Sequence, residues 1–92
     1  MQDKWFVYII ECKNGSLYTG IAKDVARRFE DHILKRVKYT SYNPPEKVVY
    51  EEYCPSMSCA LKRESYIKRL TRKKKLELIK EGGAYGKGQD RS

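Results

Sequence analysis

Three stretches of the chain have the apolar and polar patterns of β-strands. The first, residues 5–11 (WFVYIIE), is aromatic or β-branched at both odd and even positions, which is typical of a strand covered on both faces. We therefore predict that it is the central strand of a sheet. Residues 17–21 are the natural return strand of a hairpin, and residues 46–53 (EKVVYEEY) form a third strand.

The turn between the first two strands leaves two registers open. Asn14-Gly15 is the strongest local hairpin signal in the sequence. A two-residue turn would direct Tyr8 and Tyr18 to opposite faces of the sheet, because side chains alternate along a strand. A three-residue loop ending in a left-handed Gly15 would instead place Tyr18 opposite Ile10, on the same face as Tyr8.

A helix follows the hairpin, with Asp24 as its N-cap, and runs to about residue 35. At about 100° per residue, its apolar stripe consists of Val25, Ala26, Phe29 and Ile33. Arg28 and His32 lie one turn apart along one border of this stripe, where a side chain can lean over the sheet. Leu34 does not fit the stripe, so either the helix ends there or Leu34 touches another element.

A second helix is predicted at residues 57–69, with Ser56 as its N-cap. Its apolar face consists of Met57, Ala60, Leu61 and Ile67. Glu64 falls in the middle of that face, where an ionised carboxylate is costly without compensation. We therefore expect Glu64 to be paired with a cation, bound to a metal, or placed at the floor of a cleft.

The remaining segments complete a single domain, which we place at residues 1–81. Residues 36–45 have the proline and polar content of a loop, and a short basic helix follows Thr71 and closes at Gly82. Residues 82–92 are rich in glycine and lack apolar periodicity, so we expect a disordered tail.

Composition narrows the class of partner. The chain has 92 residues and a formal net charge of +8, which favours polyanions: nucleic acid first, an anionic membrane surface second. No apolar run approaches the ~18 residues of a membrane span, and we recognise no signal peptide, so we expect a cytoplasmic protein without membrane contact. Cys12, Cys54 and Cys59 lack CxxC spacing, and one histidine is too few for a typical zinc site. We expect reduced thiols.

Several chemically active residue types occur in an order that resembles the GIY-YIG nuclease superfamily. They are Tyr8, Tyr18, Gly20, Arg28, His32 and Glu64. The triplets FVY and YTG stand where that superfamily has GIY and YIG, and ten residues separate Tyr18 from Arg28, as in the family. The resemblance covers about residues 5–80 and is greatest to small stand-alone bacterial members, which share segments like KYT and ALKRESYIKRLTRKKKLELI.

The resemblance implies an α/β fold of the α+β type, with a three-stranded antiparallel sheet flanked by about three helices. It also implies a metal-dependent endonuclease whose single Mg²⁺ or Mn²⁺ ion is held by Glu64. In that chemistry Tyr8 is the general base, and Arg28, His32 or the metal supplies the positive charge that favours its phenolate. Arg28 would also hold a phosphate oxygen, and Tyr18 would position water or phosphate.

Other residues are candidate contacts to the nucleic acid, DNA in preference to RNA. They are Arg36, Lys38, Tyr39, Lys68, Arg69, Arg72 and Lys73. A basic helix is as often only a solvated face as a phosphate-binding surface. The function that we expect is structure-directed or weakly specific DNA cleavage, in repair or recombination. The alternative is a non-catalytic nucleic-acid-binding or adaptor module that retains the fold.

Overall fold

The computed structural model describes residues 4–34 and 44–82, and its sheet contains three antiparallel strands. The strands are β1 (Trp5–Cys12), β2 (Leu17–Ala22) and β3 (Pro45–Cys54). Their order is β2-β1-β3, so β1 is hydrogen-bonded on both edges. This confirms the central strand predicted from its two-sided apolar pattern.

Three helices accompany the sheet, which gives the α/β fold that was predicted. They are α1 (Val25–Ile33), α2 (Met57–Lys68) and α3 (Arg72–Gly82). The predicted N-caps are confirmed: an Asp24 carboxylate oxygen accepts from the Arg27 amide at 3.1 Å, and the Ser56 hydroxyl accepts from the Cys59 amide at 3.1 Å. Leu34 is the C-cap of α1, so that helix ends slightly earlier than residue 35.

The hairpin has the three-residue loop and not the two-residue turn. Gly15 has a φ of 90°, the left-handed conformation that glycine adopts without a Cβ penalty. Tyr18 pairs with Ile10 across the two strands. Tyr8 and Tyr18 therefore lie on the same face of the sheet, and their ring centroids are 6.4 Å apart.

Each face of the sheet carries its own buried cluster. The cluster on the α1 side consists of Tyr8, Ile10, Cys12, Ala22 and Val25. The cluster beneath α2 consists of Val7, Ile9, Tyr50, Cys54, Ala60 and Ile67. Alternate residues of β1 thus enter opposite cores, which explains why its sequence is apolar at both parities.

The predicted stripe of α1 is partly wrong. Val25 is buried and Phe29 partly so, but Ala26 is exposed and Ile33 is 51% exposed. His32, expected at the border, is fully buried. The helix is rotated toward the histidine because the sheet offers the imidazole two tyrosine rings to pack against, whereas Ile33 meets no comparable apolar surface.

The predicted apolar face of α2 is also too wide. Ala60 and Ile67 are fully buried, whereas Met57 and Leu61 are 47% and 44% exposed. Leu61 lies about 100° around the helix from Ala60, beyond the contact with the sheet. The buried face of α2 is therefore a narrow line through Ala60 and Ile67.

Some sequence-based expectations fall outside the described residues. These include most of the predicted loop, with Arg36, Lys38 and Tyr39, and all of the predicted tail except Gly82, which is the last residue of α3. β3 begins at Pro45, one residue before the predicted strand. No helix within residues 4–34 and 44–82 has the length and apolar character needed to span a membrane. The three cysteines are free thiols, as predicted.

Candidate active site

A close approach of backbone and side chain at Gly20 forms the centre of the site. Gly20 pairs with Tyr8 across the two strands. A Cβ at Gly20 would lie 2.6 Å from the Tyr8 hydroxyl oxygen and 3.3 Å from Cε2 of Tyr18. The missing side chain thus provides the space into which the Tyr8 ring extends.

His32 completes an aromatic cluster with the two tyrosines. Its ring lies edge-on, 4.9 Å from Tyr18 and 6.2 Å from Tyr8 between centroids. The Tyr8 hydroxyl is 3.3 Å from Nε2 of His32. Asp24 caps α1 and thereby fixes where the helix begins, and His32 faces the sheet two turns later.

The histidine is uncharged at neutral pH. Burial, together with the positive charge of Arg28, lowers the pKa of His32 from 6.5 to about 4, against an opposing effect of Asp31. Of the three expected sources of positive charge that would favour a Tyr8 phenolate, His32 is therefore excluded at neutral pH, whereas Arg28 does lower the pKa of Tyr8. A neutral imidazole can instead accept a proton from the hydroxyl, in the tautomer protonated at Nδ1.

Tyr8 is protonated in the free protein. Burial, and secondarily the nearby Tyr18, raise its pKa to about 12. A hydrogen bond with Arg28 and the positive charge of that residue act in the opposite direction, whereas the negative charge of Glu64 raises the pKa further. The same phenol thus interacts with α1 through Arg28 and with α2 through Glu64.

Arg28 keeps part of its guanidinium accessible to solvent. Its side chain is 42% exposed, and Nη1 lies 3.6 Å from a carboxylate oxygen of Asp31. Burial lowers the pKa of Arg28, but interactions with Tyr8, Tyr18 and Asp31 raise it more, so Arg28 is positively charged at neutral pH. The sequence interpretation missed Asp31, although its i,i+3 spacing from Arg28 is a signal for such a pair.

Glu64 is held at the edge of the buried face of α2. Its side chain is 18% exposed, and Oε2 lies 3.3 Å from Nζ of Lys68, one turn further along. Pairing with a cation, one of the three arrangements expected from the sequence, is thus observed. The sequence interpretation treated Lys68 only as a DNA contact, although the i,i+4 spacing predicts this ion pair.

The donor set suits a hard divalent cation that retains much of its water. Residues 4–34 and 44–82 contain no group of three or more histidine, cysteine or acidic side chains placed to hold a metal. Mg²⁺ commonly binds one or two carboxylates and takes its other ligands from water and phosphate. Glu64 fits that pattern, and a metal ion there would have to compete with Lys68 for the carboxylate.

A second set of contacts fixes the orientation of α2. Nε of Arg63 donates to both carboxylate oxygens of Glu52 on β3, at 3.0 and 2.9 Å, and the Tyr50 hydroxyl donates to the same carboxylate. Arg63 immediately precedes Glu64, on the opposite border of the buried face. This clamp therefore restricts rotation of α2 and holds Glu64 toward the tyrosines.

The predicted DNA-contacting residues differ in whether their side chains already form hydrogen bonds within the protein. Arg72 donates to the Gly15 carbonyl at 2.7 Å and so connects α3 to the hairpin. Arg69 donates to the Ser65 hydroxyl at 3.1 Å. Lys73 is exposed on α3. Each keeps donors available, but Arg72 also has a structural role that its charge alone did not indicate.

Comparison with known proteins identifies the family of the chain. Residues 4–77 match the model of the GIY-YIG catalytic domain. The chain therefore belongs to the GIY-YIG nuclease family.

Its relatives of similar length are UPF0213 proteins. One from Staphylococcus saprophyticus is 49% identical over 81 residues, which covers 87% of this chain and 99% of the relative. One from Staphylococcus aureus is 54% identical over 80 residues, covering 86% and 98%. The solution structure of a UPF0213 protein from Bacillus halodurans has a TM-score of 0.59 at 38% identity, and the match covers 97% of each chain.

Proposed function

We propose that the protein hydrolyses phosphodiester bonds of DNA in a reaction that requires Mg²⁺ or Mn²⁺. The observation that carries this proposal is that the Tyr8 phenol interacts with the Arg28 guanidinium of α1 and, more weakly, with the negative charge of Glu64 on α2. A structural ion pair would need only the cation and the carboxylate and not the phenol. A cation, a proton-transfer group and a carboxylate in one region are the components that phosphodiester hydrolysis requires.

Activation of water would use Tyr8 and His32 together. With a pKa of about 12, Tyr8 is almost entirely protonated at neutral pH, so very little phenolate is available as a base. Its hydroxyl contacts the neutral His32, so it can pass its proton to Nε2 as it takes a proton from the attacking water. This relay removes the need for a standing phenolate and makes His32 a transient proton acceptor, because an imidazole with a pKa of about 4 does not keep a proton at neutral pH.

Arg28 and Tyr18 would bind the scissile phosphate. The planar guanidinium can contact two oxygens of a phosphate and neutralise charge that grows in the transition state. Tyr18 packs against His32 and lies beside Tyr8, where its hydroxyl can orient water or phosphate.

Glu64 would hold the divalent ion, which when bound acts as a Lewis acid on the phosphate and stabilises the leaving 3′ oxygen. The Lys68 ammonium must then turn away from the carboxylate. Its side chain is 54% exposed, so it is free to do so and to contact a DNA phosphate instead.

The basic residues of α2 and α3 would bind the DNA backbone. Lys68, Arg69, Arg72 and Lys73 lie at the junction of these helices, and Arg36, Lys38 and Tyr39 are the further candidates in the preceding connection. Contacts of this kind give salt-dependent affinity without base recognition. We therefore propose structure-directed or weakly specific cleavage, as in repair or recombination, with DNA in preference to RNA.

A cleavage assay tests the proposal. Purified protein is incubated with nicked, branched and single-stranded DNA and with RNA, with Mg²⁺, with Mn²⁺ or with EDTA. Glu64→Gln and Arg28→Ala should each reduce metal-dependent cleavage by at least about 100-fold. Cleavage that persists in both variants would come from a contaminant and contradict the assignment.

The second candidate is a non-catalytic nucleic-acid-binding module. It is favoured by the burial of Tyr8 and by the ion pair that occupies Glu64. It predicts DNA binding in the same assay mixture, measured by fluorescence anisotropy, with no turnover in any metal. Binding that is unchanged by Glu64→Gln, together with absent cleavage, would decide for this candidate.

A further inference from the structure

The side of α2 that faces away from Glu64 carries a tyrosine between two cations. Tyr66 is 49% exposed. Lys62 precedes it by four residues and Arg69 follows it by three, so each lies about one helical turn away, and both are exposed. We call these three residues the outer side of α2. An aromatic side chain between exposed cations is typical of surfaces that bind single-stranded nucleic acid.

Arg63 orients the Tyr66 ring. Its Cζ lies 5.1 Å from the ring centroid, a cation–π contact, while its Nε–H is shared by the two carboxylate oxygens of Glu52. The guanidinium is thus held by β3 and in turn restrains the ring. Because about half of Tyr66 stays exposed, a base can stack on the remaining ring surface with little further loss of side-chain entropy.

The tyrosine also borders a groove at the start of α2. The groove has a volume of about 490 Å³ and is lined by Ser56, Ser58, Cys59, Lys62, Arg63 and Tyr66. Its lining thus combines hydroxyls, a thiol and two positive charges with one aromatic ring. A pocket of this volume can hold a small organic group such as one nucleoside.

The charges around α2 favour a polyanion. Residues 56–70 contain four basic residues and one acidic residue, Glu64, which is paired with Lys68. Lys68 and Arg69 extend the positive charge around the end of the helix, from the Glu64 side to the outer side. Nη1 of Arg69 donates to the Ser65 hydroxyl at 3.1 Å, and the other donors of its guanidinium can contact a phosphate.

We propose that the outer side of α2 binds an unpaired segment of DNA, with one base stacked on Tyr66 and the neighbouring phosphates on Lys62 and Arg69. Bases within a duplex are stacked on each other, so only an unpaired base presents a face to the tyrosine. Tyr66 lies about 160° around the helix from Glu64, and α2 is about 10 Å wide. A duplex held at the candidate active site would therefore reach Tyr66 only through a single-stranded arm.

This assignment deepens the proposed function, on which it rests for the identity of the ligand. It names the substrate class as DNA in which a single strand leaves a duplex. Binding to the outer side requires neither a metal ion nor hydrolysis, so it is measured in EDTA and separately from cleavage.

The first test is fluorescence anisotropy of a labelled oligo(dT) with the full-length protein. Tyr66→Leu should weaken binding about tenfold, whereas Tyr66→Phe should retain it, because stacking requires the ring and not the hydroxyl. Tyr53→Leu is the matched control. Tyr53 is 53% exposed, but it belongs to β3 and packs edge-on against Phe6, so its replacement should leave binding unchanged.

The salt dependence of the same binding tests the phosphate contacts. Lys62→Met should reduce the slope of the logarithm of the association constant against the logarithm of salt concentration by about 0.7, the value for one contact to a single strand. Lys47→Met removes the same charge from β3 and should leave the slope unchanged.

A 2-aminopurine in place of one thymine reports stacking directly. Its fluorescence should be quenched when the oligonucleotide binds, and Tyr66→Leu should remove the quenching. The proposal is overturned if Tyr66→Leu binds oligo(dT) as tightly as the unmodified protein, if Tyr53→Leu loses as much affinity, or if a blunt duplex binds equally well with the same dependence on Tyr66. Binding of phosphatidylserine vesicles, and not of oligo(dT), with that dependence would also overturn it.

Cleavage of nicked and branched DNA in Mg²⁺ or Mn²⁺ is scored on the same variants. Metal-dependent cleavage, together with oligo(dT) binding that ignores Tyr66, would refute the outer side as a binding surface and leave the nuclease assignment intact. Binding that depends on Tyr66 without any cleavage would support the surface and contradict the nuclease assignment.

Discussion

The two halves of the candidate site are built in different ways. The aromatic half, which consists of Tyr8, Tyr18 and His32, has ring contacts on every member, and Tyr8 and His32 are almost completely buried. The carboxylate half, which consists of Glu64 and Lys68, is an i,i+4 ion pair at the protein surface. The first half is a packed part of the core, whereas the second is held by a contact that is weak in water.

Folding alone therefore fixes the geometry of the aromatic half, whereas the carboxylate half takes its functional arrangement only when a ligand binds. Proton transfer requires exact spacing between hydroxyl and imidazole, and the core provides it before substrate arrives. A metal ligand must exchange partners, and an exposed lysine with several rotatable bonds is easily displaced. Substitutions in the aromatic half should therefore alter stability, and those in the carboxylate half should alter ligand binding.

The largest expected effect is a loss of stability in acid that depends on His32. Its pKa is about 4 in the folded protein and 6.5 in the unfolded chain, so the unfolded chain binds more protons between these values. The contribution of His32 is fully present above pH 6.5 and decreases as the pH falls toward 4. At about 1.4 kcal/mol per pKa unit, the total is about 3 kcal/mol.

Because the chain has one histidine, its imidazole NMR signal reports this titration without ambiguity. We expect a midpoint near the shifted value that burial produces. Urea unfolding of a His32→Gln variant provides the control, because its stability should decrease less between pH 7 and pH 4. A midpoint close to that of a free histidine would show that His32 is hydrated and that the aromatic half is open.

The next effect is the replacement of Gly20 by alanine. The added Cβ would contact the buried Tyr8 hydroxyl at 2.6 Å, so a ring that is packed on all sides must move. Overpacking of this kind costs about 2 kcal/mol, measured as the change in free energy of urea unfolding. Gly82→Ala is the matched control, since its Cβ would meet Tyr50 at an ordinary 3.7 Å. Equal stability of the two variants would contradict the close approach.

Removal of the α2 clamp should have an intermediate effect. Arg63→Met leaves the Glu52 carboxylate without the Nε–H that its two oxygens share, and both side chains are about one-third exposed or less. The pair is partly screened by solvent, so we expect a loss of about 1–2 kcal/mol in thermal or urea unfolding. Lys62→Met, on the exposed neighbouring position, should lose much less. A similar loss in both variants would mean that the clamp contributes nothing specific.

The smallest effect on stability should come from Lys68. Lys68→Met breaks an ion pair whose lysine is 54% exposed and whose glutamate is 18% exposed, so solvent screens it in part and the free energy of unfolding should change by less than about 1 kcal/mol. It should also make Glu64 more available, so Mn²⁺ affinity, measured by titration of the paramagnetic signal, should rise several-fold. Lys73→Met removes the same charge from α3 and controls for net charge. If both variants bind Mn²⁺ equally, Lys68 does not compete for the carboxylate.

Local sequence rules predicted most of the architecture. The two-sided apolar pattern of β1, and the N-caps at Asp24 and Ser56, each depend on a few neighbouring residues and were confirmed. Glu64 was identified because a carboxylate on an apolar helix line needs a partner, and its partner lies in the next turn. Each of these features depends on residues within a few positions of one another, so a short window of sequence is enough to predict it.

What could not be predicted depends on contacts between distant elements. Both hairpin registers were compatible with Asn14-Gly15, and the choice decides whether Tyr8 and Tyr18 share a face. The burial of His32 required a rotation of α1 that only the two tyrosine rings determine. The sequence thus nominated the residues of the candidate site, but it could not predict their protonation states, because protonation depends on burial.

The position of β1 between two strands has a consequence for the lifetime of the site. Its amides are bonded on both edges and can exchange with solvent only when the whole sheet opens. Tyr8 belongs to this strand, so its contacts with Tyr18 and His32 should break only in rare global unfolding events. Glu64 belongs to a helix whose opening exposes far less of the core. Over time, the proton-transfer geometry should thus persist through fluctuations that repeatedly detach and restore the carboxylate.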